Sequence, residues 1–187
     1  MVQKDKRILL HTCCGVCSGY PISCLKDLGY SVVAYFCNPN LDTEDEFLKR
    51  LSAQQAVCKY FEVDLITEPY NHKEYLDFIN GLENEPEKGM RCEKCIEIRL
   101  LKSVQKAKEL KITEFTTTLT VSPHKNSEKI FKIAENISSE HNIQFLEYNF
   151  KKQNGFIKTN EIAHKLGIYR QKYCGCEFAK GHLEKLN

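Results

Sequence analysis

Short apolar runs alternate along this chain with longer segments in which apolar residues recur at helical spacing. The short runs are rich in β-branched and aromatic residues and predict five strands, at 7–12, 31–36, 61–67, 114–119 and 143–145. The longer segments predict helices at 17–28, 43–60, 74–80, 92–110 and 127–141. Because strands and helices alternate, the pattern predicts an α/β fold with a Rossmann-like, doubly wound parallel sheet of about five strands.

Residues after 150 fall outside that alternation. Two further helices are predicted there, at 155–166 and 178–186, on either side of the turn Cys174-Gly175-Cys176. We therefore expect a single domain over residues 1–187, in which residues 1–150 form the α/β core and residues 151–187 form a helical cap over the edge of the sheet.

The chain has 187 residues, ten of them cysteine, and a formal net charge of +2. A chain of this length buries a full core without disulfides, so its cysteines are available for chemistry. The first apolar run, at 8–10, is far too short for a signal peptide or a membrane span. We therefore expect a cytoplasmic protein with no membrane partner, whose clustered cysteines are metal ligands or a redox couple. Structural disulfides are the alternative if the source is a hyperthermophile, in which a charged fraction of 28% would be ordinary.

Basic residues concentrate in the last forty positions or so of the chain. They are Lys151, Lys152, Lys158, Lys165, Arg170, Lys172 and Lys180. This pattern fits a solvated helical face and an RNA-facing surface equally well.

Seven cysteines lie in three short motifs. Ligands of an open α/β sheet bind at the carboxyl ends of the strands, and the first such loop here holds Cys13, Cys14 and Cys17 next to a helix start that favours thiolates. The second motif, Cys92-x-x-Cys95, begins another helix and completes four ligands with Cys13 and Cys14. Two adjacent cysteines converge poorly on one tetrahedral zinc, so we expect an iron–sulfur cluster, with a structural zinc site as the alternative.

The other cysteines divide by position. Cys17 lies close enough to Cys14 to bind a second metal or an open iron corner. A Cys174-x-Cys176 disulfide would close a very small ring and be easily reduced, which favours a redox pair, with extra metal ligands as the alternative. Three cysteines within regular elements are expected to be small buried hydrophobes, and they are Cys24, Cys37 and Cys58.

Five ordered motifs span nearly the whole chain. They are HTCCGVCS after the first strand, YFCNPN after the second, RCEKCIEIRL at the start of a long helix, TTTLTVSPHK after the fourth strand and YCGCEFA near the end. Together these motifs resemble the cobalamin-independent epoxyqueuosine reductase family (QueH type). One departure is Val16, where the family's loop is expected to carry proline, and it bears on loop stiffness and not on ligation.

The resemblance implies the last step of queuosine biosynthesis, in which epoxyqueuosine at the wobble position of tRNA loses its epoxide oxygen with two electrons and two protons. It implies a [4Fe-4S] cluster and a redox-active pair matching Cys174 and Cys176. The implied cluster ligands are Cys13, Cys14, Cys92 and Cys95. It further implies a fold akin to the PP-loop ATPases, with tRNA and an external electron donor as partners.

We add a hypothesis for the chemistry of that step. An iron corner, or an additional mononuclear metal near Cys17, would act as a Lewis acid on the epoxide oxygen. The proton donors considered for the leaving oxygen are His11, Asp42 and His124. Residues expected to hold an anticodon loop by charge and stacking are Arg91, Arg99, Lys125, Tyr169, Arg170, Lys172 and Tyr173.

Two other functions are weighed against this one. ATP-dependent tRNA thiolation uses the same kind of fold and paired cysteines, but it needs a Gly/Ser-rich pyrophosphate loop where this chain has cysteines. A zinc-stabilised RNA-binding module would leave the Cys-x-Cys turn without a purpose.

Overall fold

The computed structural model describes residues 6–182 of the chain. The sheet has five strands, all pairing in parallel, in the order β3-β2-β1-β4-β5. The strands are β1 (Lys6–Thr12), β2 (Tyr30–Phe36), β3 (Asp64–Thr67), β4 (Glu114–Thr117) and β5 (Gln144–Phe145). The predicted doubly wound α/β fold is confirmed.

Six α-helices and two short 3₁₀ helices complete the described part of the chain. The α-helices are α1 (Gly19–Asp27), α2 (Glu44–Phe61), α3 (His72–Phe78), α4 (Met90–Glu109), α5 (Ser127–His141) and α6 (Gly155–Lys165). The 3₁₀ helices are Thr118–Val121 and Glu177–His182. No helix in residues 6–182 is both long and apolar enough to cross a membrane.

Apolar side chains project from both faces of the sheet, and helices pack against each face. Leu9 of β1 and Val33 of β2 pack with apolar residues of α4 and α5, including Leu100, Val104, Ile130 and Ala134. Ile8 and Leu10, on the other face of β1, pack with residues of α1, α2 and α6, including Ile22, Leu25, Val57 and Ala163. β1 is therefore a central strand, with its apolar side chains shielded from water.

Several predicted boundaries shift for identifiable local reasons. The first helix begins at Gly19 and not at residue 17, so Cys17 lies in the loop before it. The strand predicted at 61–67 begins at Asp64, because α2 continues to Phe61 and ends at the left-handed residue Glu62. The strand predicted at 114–119 stops at Thr117, whose hydroxyl accepts a hydrogen bond from the backbone N–H of Leu119 and starts the 3₁₀ helix.

The strand order identifies where a ligand would bind. From β1 the chain winds outward through β2 and β3, and it then returns to the other side of β1 with β4 and β5. The order reverses between β1 and β4, and in open α/β sheets this switch point is where ligands bind, beyond the carboxyl ends of the strands. The loop carrying Cys13, Cys14 and Cys17 leaves β1 at this point.

The C-terminal region differs from the predicted helical cap. α6 lies against α1, because the Thr159 hydroxyl donates to the Val16 carbonyl oxygen and Gly19 faces Ile162 so closely that a Cβ there would lie 2.8 Å from it. Residues 169–176, here called the strap, are irregular and run past the carboxyl edge of the sheet. The helix predicted at 178–186 is a 3₁₀ helix over Glu177–His182, and the last residues of that prediction lie outside the described residues. The helical cap is therefore not confirmed, and the domain boundary at residue 150 stays a prediction.

Candidate metal and redox centre

The loop after β1 gathers three thiols. The sulfurs of Cys13, Cys14 and Cys17, here called the thiol trio, all lie within 4.8 Å of one another, and those of Cys13 and Cys14 are 3.7 Å apart. Gly15 lets the loop approach α2, since a Cβ there would lie 2.5 Å from the backbone carbonyl group of Ala53. Within residues 6–182, this is the one group of three or more metal-ligating side chains so closely spaced.

Hydrogen bonds from two polar side chains reach the trio. The Thr118 hydroxyl, just beyond β4, lies 3.4 Å from Cys13 Sγ and 3.1 Å from the backbone N–H of Cys13, which donates to it. Gln171 Nε2, in the strap, donates to Cys14 Sγ at 2.9 Å. The trio is thus contacted both from the switch point and from the C-terminal strap.

The three thiols differ in pKa. Hydrogen bonds from the thiols of Cys14 and Cys17, with the charge of Arg99, hold the pKa of Cys13 well below its ordinary value. The same contacts with Cys13 raise the pKa of Cys14 to about 12, and they raise that of Cys17 well above its usual range. A thiol of lowered pKa ionises readily and can be the first to bind a soft metal, and metal binding then displaces the protons of the other two thiols.

The second cysteine motif lies in the first turns of α4. Cys92 is half-buried and accepts a hydrogen bond from the backbone N–H of Lys88 at 3.2 Å. Cys95 is buried and packs in one apolar cluster with Tyr75 and Cys176. Burial raises the pKa of Cys95 to about 12, although Arg99 and Lys125 act in the opposite direction.

Two cations link the trio to the cysteines near α4. The Arg99 side chain is buried, donates to Asn38 Oδ1 at 2.7 Å and interacts electrostatically with Cys95, Cys13 and Cys174. Lys125 Nζ lies 3.4 Å from Cys174 Sγ, and the Cys174 thiolate above all raises the pKa of Lys125. Two cations among thiols make this edge of the sheet suited to a group with net negative charge.

A buried ion pair in α2 fixes the strap. Arg50 Nε donates to Glu46 Oε1 at 2.7 Å, and the two side chains are only 4% and 7% exposed. The other Arg50 nitrogens donate to the carbonyl oxygens of Tyr173 and Cys174, each at 3.1 Å. Glu46 Oε2 accepts from the hydroxyl of Tyr169 at 2.8 Å. The strap is therefore attached to a regular helix on both sides of Gln171.

The turn of the third cysteine motif requires its glycine. Gly175 has φ +119°, in the region that L side chains rarely adopt, and a Cβ there would lie 2.5 Å from Leu41. Its carbonyl oxygen accepts from the backbone N–H of Asp42, and Asp42 Oδ1 accepts from the hydroxyl of Tyr173. The turn thereby presents Cys174 and Cys176 in different environments.

Those environments make the two thiols unequal. Cys174 is exposed, and the charge of Lys125 lowers its pKa. Cys176 is buried, and burial together with the neighbouring Cys174 raises its pKa. All ten cysteines are free thiols in this structure, so a disulfide between Cys174 and Cys176 is not observed.

The residues predicted to bind substrate separate into two groups. Lys125, Tyr169 and Tyr173 lie at the strap or in contact with it, and the side chain of Arg170 is exposed there. Arg91 is instead buried, where it donates to the carbonyl oxygens of Glu83 and Glu85 and lies over the ring of Phe178. Arg91 therefore holds the loop before α4, and its predicted contact with substrate is not supported by this position.

Of the three predicted proton donors, His11 is the most constrained. Its Nε2 lies 3.2 Å from the Cys37 carbonyl oxygen and its Nδ1 2.8 Å from the Thr117 hydroxyl, so both nitrogens are engaged. Burial, aided by the charge of Arg99, lowers the pKa of His11 to about 3, and the ring is neutral at physiological pH. Through these contacts it links β1 to β4 and to the residue that follows β2. Asp42 contacts the strap through Tyr173, and the His124 side chain is exposed.

Sequence reasoning did not single out Arg50, Glu46 or Gln171. Arg50 follows Glu46 by four residues, the spacing of an ordinary exposed ion pair, and nothing local reveals that this turn of α2 is buried under the strap. Gln171 lies three residues before Cys174, which was the one available signal. Of the cysteines predicted to be buried hydrophobes, Cys37 and Cys58 are buried and Cys24 is half-buried.

Comparison with known proteins gives the same assignment as the motifs. Residues 8–182 match the family model described as "Epoxyqueuosine reductase QueH". This chain belongs to the epoxyqueuosine reductase QueH family. It is 37% identical over 178 residues to the QueH of Streptococcus pyogenes serotype M1, covering 92% of this chain and 69% of that protein. It is 30% identical over 175 residues to the QueH of Thermotoga maritima, covering 92% of this chain and 89% of that protein.

Solved structures of other proteins support the fold. The chain is similar to a deacetylase in complex with teicoplanin, from the biosynthesis pathway of teicoplanin, with a TM-score of 0.52, 13% identity and 86% of each chain covered. At that identity the likeness shows the α/β fold alone. The family assignment confirms the predicted oxidoreductase class, and it does not favour either a tRNA thiolation enzyme or a zinc-stabilised RNA-binding module.

Proposed function

We propose that this QueH family member reduces epoxyqueuosine to queuosine at the wobble position of tRNA by removing the epoxide oxygen. The observation that carries the proposal is the meeting of all three cysteine motifs around Arg99 and Lys125, at the switch point of the sheet. An ATP-binding site of this fold would have phosphate-binding glycines at that point. Here the loop has the thiol trio.

The side chains at this edge fit an iron–sulfur cluster. Thiolates are the protein ligands that iron–sulfur clusters use, and cysteines of the loop after β1, of α4 and of the strap interact with the same two cations. Arg99 Nε is buried and has no hydrogen-bond partner in the described part of the chain, which leaves a donor available to a bound anionic group.

The residues that would hold a [4Fe-4S] cluster are Cys13, Cys14, Cys92 and Cys95. Cys17, the third member of the thiol trio, would hold an additional mononuclear metal. When bound, these groups supply single electrons and a Lewis acid for the epoxide oxygen. The close spacing of Cys17 with Cys13 and Cys14 also supports a competing assignment, in which the trio itself provides three ligands. Iron content in Cys17→Ser and Cys92→Ser variants separates the two assignments.

The Cys174 and Cys176 pair matches the stoichiometry of the reaction. Closing two thiols to one disulfide releases two electrons and two protons. Removing the epoxide oxygen as water consumes two electrons and two protons and leaves a cyclopentene. Cys174 is the exposed thiol of lowered pKa and suits exchange with an external donor, whereas the buried Cys176 suits the resolving position.

For the tRNA, the exposed side of the strap is the proposed contact. Arg170 and Lys172 are exposed there, and the partly exposed ring of Tyr169 offers a stacking surface for an unpaired base. Lys125, next to Cys174, would meet the phosphate or the modified base. An external reductant, met in the cytoplasm, restores the dithiol after each turnover.

The direct test follows the wobble nucleoside. tRNA carrying epoxyqueuosine is incubated anaerobically with the reconstituted protein and a reductant, and its nucleosides are analysed by mass spectrometry. We expect a product lighter by one oxygen atom that co-elutes with queuosine. Unchanged epoxyqueuosine with iron-loaded protein and an active control enzyme would contradict the proposal.

A further inference from the structure

Gln171 connects the strap to the thiol trio through one side-chain amide. Its Nε2 donates to Cys14 Sγ at 2.9 Å, and Cys14 is only 1% exposed. Its Oε1 is buried and has no hydrogen-bond partner among residues 6–182. Burying an amide with half of its hydrogen-bonding capacity unused costs free energy, so the contact with the sulfur calls for a functional reason.

The position of this amide is fixed from both sides. Tyr169, two residues before it, is bound through its hydroxyl to Glu46. Tyr173 and Cys174, after it, are bound through their carbonyl oxygens to Arg50. Since Arg50 and Glu46 form a buried ion pair on a regular helix, Gln171 is held by α2 and not by the strap alone.

We infer that Gln171 is a positioning residue whose N–H donates to the Cys14 sulfur and so raises the reduction potential of the group that this sulfur ligates. The inference rests on the proposed function for the identity of that group, an iron–sulfur cluster. Reduction adds negative charge, which a hydrogen bond to a ligand sulfur stabilises, and such bonds are among the factors that set cluster potentials. The strap that carries Cys174 thereby also adjusts the metal site.

The test is the midpoint potential of the reconstituted protein, followed by its visible absorbance, with iron and sulfide measured on the same sample. Gln171→Met keeps the length of the side chain and removes the N–H donor. We expect about a tenfold smaller equilibrium constant for reduction, a midpoint potential ~59 mV more negative for a one-electron couple. The matched control is Gln144→Met on β5, whose side chain is exposed and which should keep the wild-type potential.

The possible results test the role of Gln171 separately from the proposed function. A fully loaded Gln171→Met protein with the wild-type potential overturns the role of Gln171 and leaves the proposed function standing. A wild-type protein that takes up neither iron nor sulfide overturns the cofactor, and with it this inference. If Gln171→Met takes up no iron, Gln171→Lys decides, because it keeps an N–H donor and adds positive charge. Its potential should rise above wild type, and an unchanged or lower value overturns the inference.

Discussion

The thiol trio and the Cys174-Gly175-Cys176 turn both offer closely spaced cysteines, but the structure treats them in opposite ways. The trio follows β1, whose last five residues are buried, and its sulfurs all lie within 4.8 Å of one another. The turn lies on an irregular strap, with one exposed thiol and one buried thiol. Closely spaced thiols at a fixed site, as in the trio, are suited to metal ligation. A solvent-accessible thiol beside a thiol of different pKa, as in the turn, is suited to thiol–disulfide exchange.

The difference also lies in what holds each group. The trio is held directly after β1, by the hydrogen bond from the backbone N–H of Cys13 to Thr118 just beyond β4 and by the close approach of Gly15 to α2. The turn is held by side chains, chiefly the Arg50–Glu46 pair and the Asp42–Tyr173 contact. The thiol trio is therefore part of the folded core, and the Cys174-Gly175-Cys176 turn is a separate element attached to that core by side chains.

Replacing a cysteine of the thiol trio should have the largest effect, the loss of bound iron. We expect Cys14→Ser to lose most of its bound iron, and its activity should fall by more than the ~10–100-fold that is typical for changes around a metal ligand. Iron analysis and the tRNA assay measure both. Cys58→Ser is the matched control, since Cys58 is a buried cysteine of α2 that is not one of the trio, and it should keep its iron. Full iron in Cys14→Ser would remove Cys14 from the ligand set.

Replacing the exposed cysteine of the turn should reduce turnover without reducing iron binding. Cys174→Ser is expected to keep wild-type iron and sulfide while its multiple-turnover activity falls by ~10²-fold or more, the scale expected when a group in the chemical step is lost. Cys24→Ser, on α1, should retain both properties. Undiminished turnover in Cys174→Ser would eliminate the role of the dithiol.

Much of the fold could be predicted from the sequence, because strand and helix periodicity and the β1 loop are local signals. The start of α2 is one example, since the helix predicted from residue 43 has Thr43 as its N-cap, whose hydroxyl accepts from the backbone N–H of Glu46. The strap could not be predicted, because its position depends on Arg50 and Glu46, more than a hundred residues away in sequence. The position of Arg91 could not be predicted for a similar reason. Its side chain is buried and lies over the ring of Phe178, a contact that depends on the tertiary packing of the C-terminal segment.

Breaking the ion pair that holds the strap should destabilise the protein. Arg50→Met leaves the buried Glu46 carboxylate without its partner and is expected to lower the free energy of unfolding by ~3–5 kcal/mol. Urea denaturation provides the measurement. Lys49→Met, which removes the exposed ion pair with Asp45 on the same helix, should cost less than ~1 kcal/mol.

The double variant Glu46→Gln with Arg50→Met tests whether the unpaired Glu46 carboxylate causes the loss of stability in Arg50→Met. It removes both charges, so it should recover part of the stability lost in Arg50→Met. If Arg50→Met were no less stable than Lys49→Met, the strap would not depend on this pair.

The smallest expected effect concerns the reactivity of Cys174. The thiolate is the form that reacts, so its alkylation rate rises with pH through its pKa. Lys125 lowers that pKa, and Lys125→Met should therefore shift the rise to higher pH. At a pH below both pKa values, the rate should fall roughly tenfold for each unit of the shift. The rate of Cys174 alkylation by iodoacetamide is measured at several pH values by mass spectrometry.

Lys132→Met on α5 is the control for the loss of a lysine, because its side chain is exposed. Its pH profile should match that of wild type. If Lys125→Met matched wild type as well, Lys125 would not be what activates Cys174.

The most direct test of the division between the two thiol groups is the iron, sulfide and zinc content of anaerobically purified protein, measured for wild type and for the double variant Cys174→Ser with Cys176→Ser. The division predicts about four irons and four sulfides per chain in both proteins, since the turn supplies no cluster ligand. Loss of iron in the double variant would make the turn part of the metal site. About one zinc and no sulfide in wild type would contradict the iron–sulfur assignment itself.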